Sequence, residues 1–277
     1  MHHEVVTLPS SAQIRFRRVM LNDENVLASA LKDKRSDIDD VLTKIVTSCA
    51  EEVIDPGPYP FLEIGSKPDW ANMAKGDRFA AMLDLRCLSY KEGNILEADL
   101  HCPDIACKCS FSWDVDLKKD LIRQDLPEES IEKIKAGEPF EVVIDGRKVL
   151  YTIALGKTEK LAEKYTEQYR GRDMAAGLRS RIISVEGVES RDIMDWLDGQ
   201  GKSDYPGLTS DDAEELRDAF DRVDCGIDTT TEAECPKCRE WFDFTLPSTG
   251  MFLPGKGISK RKKEARKQKM AKQPSAE

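Results

Sequence analysis

Histidine is scarce in this chain: it has three histidines in 277 residues, and two of them are His2 and His3. The sequence contains no glycine-rich phosphate loop, no nucleophile elbow and no His-Glu-x-x-His helix. Carboxylates are abundant, but acidic helix faces are usually solvated, and no spacing here brings a catalytic pair together. We therefore predict a protein that is not an enzyme, with no catalytic residues, no organic cofactor and no small-molecule substrate.

Long apolar runs are also absent. No run approaches the roughly 20 apolar residues that a membrane-spanning helix needs. The first residues lack the basic segment and the apolar run of a signal peptide. We therefore expect a cytoplasmic protein without a membrane partner, whose eight cysteines are reduced or bound to metal.

The cysteines are plentiful, and two groups of them have the spacing of metal ligands. Cys235 and Cys238 form a Cys-x-x-Cys knuckle, in which two thiolates on one tight turn can face the same tetrahedral ion. Cys102 opens a second, longer knuckle far upstream, and each knuckle leads into a strand of alternating apolar residues. Two such half-sites predict one four-thiolate zinc site with the layout of a zinc ribbon. Because four thiolates leave no open position on the ion, we expect the zinc to be structural.

The fourth ligand is ambiguous, because the upstream knuckle contains both Cys107 and Cys109. The residues after Cys109, Trp113-Asp-Val-x-Leu117, align without a gap with those after the downstream knuckle, Phe242-Asp-Phe-x-Leu246, and this match favours Cys109. The predicted ligands of one zinc ion are therefore Cys102, Cys109, Cys235 and Cys238. Cys107 is the alternative fourth ligand.

Other interpretations of the cysteines carry less weight. Reduced core cysteines, one disulfide or a redox pair would each explain part of the pattern. His101 is a possible substitute ligand, but four thiols already fill a tetrahedral site. Cys49, Cys87 and Cys225 are most simply small buried apolar residues.

The order of patterns along the chain predicts an α+β fold, with a helical N-terminal region and a zinc-ribbon-like β unit that a long α/β insertion interrupts. Two short β-prone runs, Val5–Leu8 and Ile14–Val19, precede helices expected over about 23–32, 37–53 and 75–90. A strand is expected at Ile95–His101. Asp145-Gly146 in the insertion predicts the type I′ turn of a hairpin. The predicted segments are the N-terminal hairpin and helices (1–94), the first ribbon half (95–118), the inserted hairpin and helices (119–225), the second ribbon half (226–254) and a disordered basic tail (255–277).

Charge is distributed unevenly along the chain. Residues 255–277 contain nine basic and two acidic side chains, a net charge of +7, so the rest of the chain carries -17 of the overall -10. An acidic body repels nucleic acid, and only the tail could contact it. One alternative function is therefore a zinc-ribbon nucleic-acid-binding or transcription-associated protein that binds through its tail. The other interpretation of the tail is a solvated segment without a partner.

Several motifs, taken in order, resemble a known family. The motifs are Thr7-Leu8-Pro9-Ser10 with Ile14–Arg17, Gly76-Asp77-Arg78 leading to Leu85–Tyr90, the knuckle at Cys102, the hairpin from Pro139 to Leu155, and Gly226-Ile227-Asp228 followed by Cys235-Pro-Lys-Cys and Phe252-Leu253-Pro254. In this order they resemble the baseplate hub and hub assembly proteins of contractile-tailed, T-even-type bacteriophages. The resemblance covers nearly the whole chain up to Gly255, and the extended first knuckle and the basic tail depart from it.

The resemblance has direct implications for function. It implies a non-enzymatic structural or assembly component of a phage tail baseplate hub, with other hub or tail proteins as partners. It places the protein in the host cytoplasm during assembly. Both a permanent subunit of the virion baseplate and an assembly chaperone that leaves are compatible with it.

Overall fold

The structure is a computed structural model that describes residues 3–30, 38–201 and 205–246. It has the predicted α+β content. The described residues form two compact units: unit 1 lies within Met1–Leu85 and Ile122–Asp228, and unit 2 comprises 86–121 and 229–246. The predicted basic tail, residues 255–277, lies outside the described residues.

Helices and strands alternate irregularly along the chain. The helices are α1 (Leu21–Ala30), α2 (Ile38–Cys49), α3 (Lys75–Ser89), α4 (Glu128–Ala136), α5 (Gly156–Gln168), α6 (Asp173–Arg179), α7 (Ile193–Asp198) and α8 (Ser210–Asp221). The strands are β1 (His3–Thr7), β2 (Gln13–Arg17), β3 (Ala50–Asp55), β4 (Ile95–His101), β5 (Ser110–Asp116), β6 (Ile122–Gln124), β7 (Phe140–Ile144), β8 (Arg147–Tyr151), β9 (Ile182–Val185), β10 (Gly226–Asp228), β11 (Thr230–Glu234) and β12 (Trp241–Thr245). Among the described helices, none has the length and apolar character to cross a membrane.

Unit 1 begins with an antiparallel sheet in the order β1-β2-β3. The hairpin of β1 and β2 confirms the two β-prone runs predicted at the start of the chain. Ile14 and Phe16 alternate along β2 and are fully buried, so one face of this sheet packs on the core.

The helix predicted over 37–53 is too long. α2 ends at Cys49, and the chain continues directly as β3, which pairs with β2. Ala50 and Val53 are both fully buried, with Val53 opposite Ile14 in the sheet. The helical spacing of apolar residues continues past Cys49, but pairing with β2 determines the structure of this segment. Val53 is β-branched, and such residues favour a half-buried sheet.

A buried carboxylate fixes the N-terminal end of α3. Asp77 is fully buried and accepts hydrogen bonds from the Ser10 backbone N–H at 2.9 Å and from the Tyr59 hydroxyl at 2.6 Å. Burial raises the pKa of Asp77 above its usual range. Gly76 is required by space, because a Cβ there would lie 2.0 Å from the backbone oxygen of Cys225. This short motif therefore joins α3 to three other segments of unit 1.

A second sheet of unit 1 has the order β7-β8-β9. β7 and β8 meet at Asp145 and Gly146, whose φ angles are both positive, 50° and 69°. This is the geometry that the Asp-Gly pair predicts for a type I′ turn.

A half-buried ion pair joins the residue before β9 to the segment after α8. The Arg181 guanidinium donates to both carboxylate oxygens of Asp224, at 2.8 Å each, and its Nε donates to the Thr152 carbonyl at 3.1 Å. Its plane lies over the Phe220 ring, with 4.2 Å to the ring centroid. Burial lowers the pKa of Arg181 and raises the pKa of Asp224, so it disfavours the charged form of both groups. The opposite charge of the partner is the main influence that favours the charged form of each.

Unit 2 contains two antiparallel hairpins, β4–β5 and β11–β12. The first pairs residues from Ile95↔Asp116 to His101↔Ser110, and the second pairs residues from Thr230↔Thr245 to Glu234↔Trp241. β4 has the bounds predicted from the sequence. In each hairpin, the turn between the two strands carries the cysteines.

Candidate metal centre

Four cysteine sulfurs come together in unit 2. The Sγ atoms of Cys102, Cys107, Cys235 and Cys238 all lie within 4.8 Å of one another. The Cys102–Cys238 sulfur distance is 3.6 Å, and the Cys107–Cys235 distance is 3.7 Å. A zinc–sulfur bond of about 2.3 Å in a regular tetrahedron separates neighbouring sulfurs by about 3.8 Å. The cluster therefore has the dimensions of a four-thiolate tetrahedral metal site.

The chemistry of the four groups also fits a metal site. All four cysteines are free thiols, and their sulfurs are too far apart for the S–S bond of about 2.04 Å in a disulfide. Soft thiolate ligands in a tetrahedron favour zinc or iron over hard cations such as magnesium or calcium. The four residues could hold one thiophilic ion, and all the tetrahedral positions would be filled by protein.

Each knuckle begins where the first strand of its hairpin ends. The Cys102 N–H donates to the Cys109 carbonyl at 2.8 Å, one step beyond the β4–β5 ladder. The Cys235 N–H donates to the Glu240 carbonyl at 2.9 Å, one step beyond the β11–β12 ladder. Cys102 and Cys235 are therefore equivalent positions, and both are buried.

A left-handed residue follows the second cysteine of each knuckle. Lys108 follows Cys107 with a φ of 47°, and Arg239 follows Cys238 with a φ of 66°. This conformation is uncommon for residues other than glycine, so its recurrence marks the same point in two similar turns. Cys107 is therefore the counterpart of Cys238.

Cys109, the predicted fourth ligand, lies outside the sulfur cluster, and this part of the prediction needs correction. The structure brings together the other three predicted residues and adds Cys107. Cys109 lies immediately before β5, where its carbonyl accepts the Cys102 N–H, and its Sγ lies 3.9 Å from the Ser110 carbonyl oxygen.

The sequence alignment that favoured Cys109 differs by two residues from the alignment of the two hairpins in the structure. Counted from the knuckles, Phe111 is the equivalent of Phe242, and their rings are in edge-to-face contact with centroids 6.2 Å apart. A shift of two residues keeps every side chain on the same face of a strand, so the alternating pattern could not reveal it. The basic residue after the second cysteine, Lys108 or Arg239, is the sequence signal that identifies Cys107.

Backbone N–H groups stabilise the thiolate form of Cys235. Hydrogen bonds from the N–H groups of Cys238 and Lys237 lower the pKa of Cys235 to about 6, against the opposing effect of desolvation. Desolvation raises the pKa of Cys102 to about 12. A bound cation would favour the deprotonated form of every thiol in the cluster, with release of protons.

The extra residues of the first knuckle form a capped turn. The Asp104 carboxylate accepts the Ala106 N–H at 2.9 Å, and the Asp104 carbonyl accepts the N–H groups of Cys107 and Lys108 at 3.1 Å each. Lys237 of the second knuckle donates from Nζ to the Cys107 carbonyl at 3.4 Å. The longer turn therefore presents its second sulfur in the same way as the shorter one.

The other candidate residues lie apart from the cluster. Cys49 is fully buried, as predicted, and desolvation raises its pKa to about 11. Cys87 and Cys225 are only partly buried, so the prediction of buried residues is wrong for these two. His101 is exposed, and its Nδ1 lies 2.8 Å from the Ser110 hydroxyl.

Comparison with known proteins identifies a family that the chain matches. The T4 bacteriophage base plate protein family matches residues 1–253, a range that contains both cysteine knuckles and all of the described residues. No curated protein and no solved structure matches the chain. The predicted resemblance to T-even-type baseplate proteins is thereby confirmed at the level of the family, without distinguishing the hub from the rest of the baseplate. The chain belongs to the T4 bacteriophage base plate protein family.

Proposed function

We propose that this protein is a non-enzymatic structural or assembly component of the baseplate hub of a contractile phage tail, and that one zinc ion fixes the geometry of its unit 2. Family membership supports a place in the baseplate, with other phage tail proteins as partners. The shared order of motifs along residues 7–254 supports the hub in particular. The protein would act in the host cytoplasm during assembly and in the tail of the virion.

The observation that carries the structural role is the closed set of four sulfurs. Cys102, Cys107, Cys235 and Cys238 supply four thiolates at tetrahedral distances, so a bound ion has no position left for water or substrate. The paired sulfurs are 136 and 128 positions apart in the sequence. Such a site serves to hold distant segments together rather than to perform chemistry, as a subunit of a mechanical assembly requires.

The nucleic-acid alternative depends on residues 255–277, which lie outside the described residues. No feature of the described residues favours it. The proposal therefore does not include a nucleic-acid partner.

The hub assignment can be tested during infection. A tagged copy of the gene is placed in the phage genome, and tail assembly intermediates are separated by sedimentation and identified by mass spectrometry. We expect the protein to sediment with hub intermediates, whereas a tagged phage protein of unrelated function remains at the top of the gradient. Absence from every hub and tail intermediate would refute the hub assignment. The zinc assignment is tested separately by elemental analysis of the purified chain, with about one zinc per chain as the expected result.

A further inference from the structure

The two hairpins of unit 2 are small. β4 and β5 have seven residues each, and β11 and β12 have five. Each hairpin is a separate two-stranded sheet. An isolated two-stranded hairpin is marginally stable in water, so each of these hairpins needs support from outside its own ladder.

Three contacts at the knuckles join the two hairpins. They are the four-sulfur cluster, the edge-to-face pair of Phe111 and Phe242, and the hydrogen bond from Lys237 Nζ to the Cys107 carbonyl. These segments are more than a hundred positions apart in sequence, and without an ion they are held together by noncovalent contacts alone. Closing so long a loop costs conformational entropy, which metal–thiolate bonds can offset.

Unit 1 has stronger support of its own. It contains two three-stranded sheets and a core that includes the fully buried side chains of Phe16 and Trp196. The Arg181–Asp224 ion pair and the two donors to the buried Asp77 carboxylate also lie within this unit. Unit 1 therefore has no evident need of the ion.

We propose that unit 2 is a metal-dependent folding unit, which orders only when the cluster binds its ion, while unit 1 folds without metal. This inference depends on the metal site of the proposed function. Because unit 2 is ordered only in the metal-loaded chain, its surface is available to assembly partners only there. Assembly therefore requires bound metal.

The burial of the sulfurs is compatible with reversible loading. Cys102 and Cys235, the first cysteines of the two knuckles, are buried. Cys107 is partly exposed and Cys238 is exposed. Each knuckle thus pairs a buried sulfur with an accessible one, and the accessible pair gives an ion or a chelator a path from solvent.

Hydrogen exchange of the full-length chain tests the inference. The reduced protein is stripped with a chelator, and amide exchange is followed by mass spectrometry before and after addition of one equivalent of zinc. In the stripped protein, we expect residues 95–116 and 230–245 to exchange at least about tenfold faster than in the zinc-loaded protein, because their opening equilibrium shifts. Residues 13–17 and 147–151 of unit 1 should keep their protection. Zinc should restore the slow exchange of unit 2.

Tryptophan fluorescence gives an independent reading, because Trp113 and Trp241 lie in unit 2 and Trp70 and Trp196 lie in unit 1. The double variant Trp113→Phe/Trp241→Phe should lose the zinc-dependent change in emission. The variant Trp70→Phe, which retains both tryptophans of unit 2, should keep that change.

The outcomes separate this inference from the site on which it rests. If zinc binds with one-to-one stoichiometry but unit 2 is equally protected without it, the metal site stands and metal-dependent folding is wrong. If unit 1 loses its protection together with unit 2, independent folding of unit 1 is wrong. If no zinc binds, the metal site itself fails, and this inference fails with it.

Discussion

Two neighbouring cysteines give the sharpest test of the metal centre. Cys107 lies in the sulfur cluster and Cys109 lies outside it, although only one residue separates them. We predict that Cys107→Ser greatly weakens zinc binding and that Cys109→Ser leaves it nearly unchanged. Both variants replace sulfur by oxygen in the same turn, so each is a control for the other.

The size of the effect follows from the coordination. Loss of a partner that only supports a metal ligand typically lowers affinity 10- to 100-fold, so loss of a ligand itself should lower it more than about 100-fold. At a zinc concentration that saturates the wild type, a 100-fold loss of affinity removes about 2.7 kcal/mol of metal-linked stability. This corresponds to a fall of roughly 10–20 °C in the melting midpoint of unit 2, because the midpoint of a small domain shifts by about 4–8 °C per kcal/mol. Cys109→Ser should stay within about 0.5 kcal/mol of the wild type.

Competition with a chromogenic chelator measures the affinities, and thermal unfolding in zinc-buffered solution measures the stabilities. Loss of zinc binding in Cys109→Ser, together with retention in Cys107→Ser, would show that Cys109 is the fourth ligand and that the structural grouping is wrong. Equal retention in both variants would refute the four-thiolate site.

Three further predictions concern unit 1. Gly76→Ala should destabilise the chain by about 1–3 kcal/mol in chemical denaturation, since its Cβ would lie 2.0 Å from a backbone oxygen. Gly177→Ala, within α6, should be neutral or stabilising, because a Cβ at this position would meet open space. Arg181→Met should cost about 2–3 kcal/mol, because the half-buried Asp224 carboxylate keeps the Ala154 N–H as a donor but loses its charged partner. Arg181→Met/Asp224→Leu should recover much of this loss, and equal loss in both variants would contradict the argument. Burial raises the pKa of Asp77, so its contribution to stability is present while the carboxyl is protonated and is lost as the pH rises through that raised pKa. In urea unfolding at several pH values, the free energy of unfolding should fall less with rising pH for Asp77→Asn than for the wild type.

The sequence predicts elements well where pattern and turn chemistry agree within a short window. β4 was expected at 95–101 and is found at Ile95–His101, and α3 was expected at 75–90 and is found at Lys75–Ser89. The hairpin at Asp145 and Gly146 follows from two residues that tolerate positive φ. In each case, the information lies within a few residues of the element.

Elements that depend on distant partners were not predicted. β6 and β10 have three residues each and exist because they pair with each other across about a hundred positions of sequence. β3 was assigned to a helix, because only its pairing with β2 distinguishes it from a continuation of α2. Such short segments contain too few residues for periodicity to identify them.

The metal centre was predicted in outline but not in full. Two knuckles with a shared Cys-Pro start identify Cys102 and Cys235 as equivalent, and the structure places them so. The identity of the fourth sulfur depends on how the two hairpins are aligned relative to their turns. An aromatic pattern with a period of two residues cannot fix that alignment. The left-handed residues after Cys107 and Cys238 do fix it, and in the sequence only the shared basic residue, Lys108 or Arg239, indicates their equivalence.

The basic side chains of the knuckles have an electrostatic consequence for a bound ion. Four thiolates around a divalent cation make a dianionic centre, which is unfavourable in a body that is already strongly acidic. Lys108, Lys237 and Arg239 all lie within the two turns that carry the sulfurs, and Lys237 also reaches across to the opposite turn. Arg239 is paired with Glu234 at 3.1 Å, so Lys108 and Lys237 are the two cations that can offset the excess negative charge locally. Their charges would lower the energy of the loaded site and make its affinity sensitive to the loss of either one.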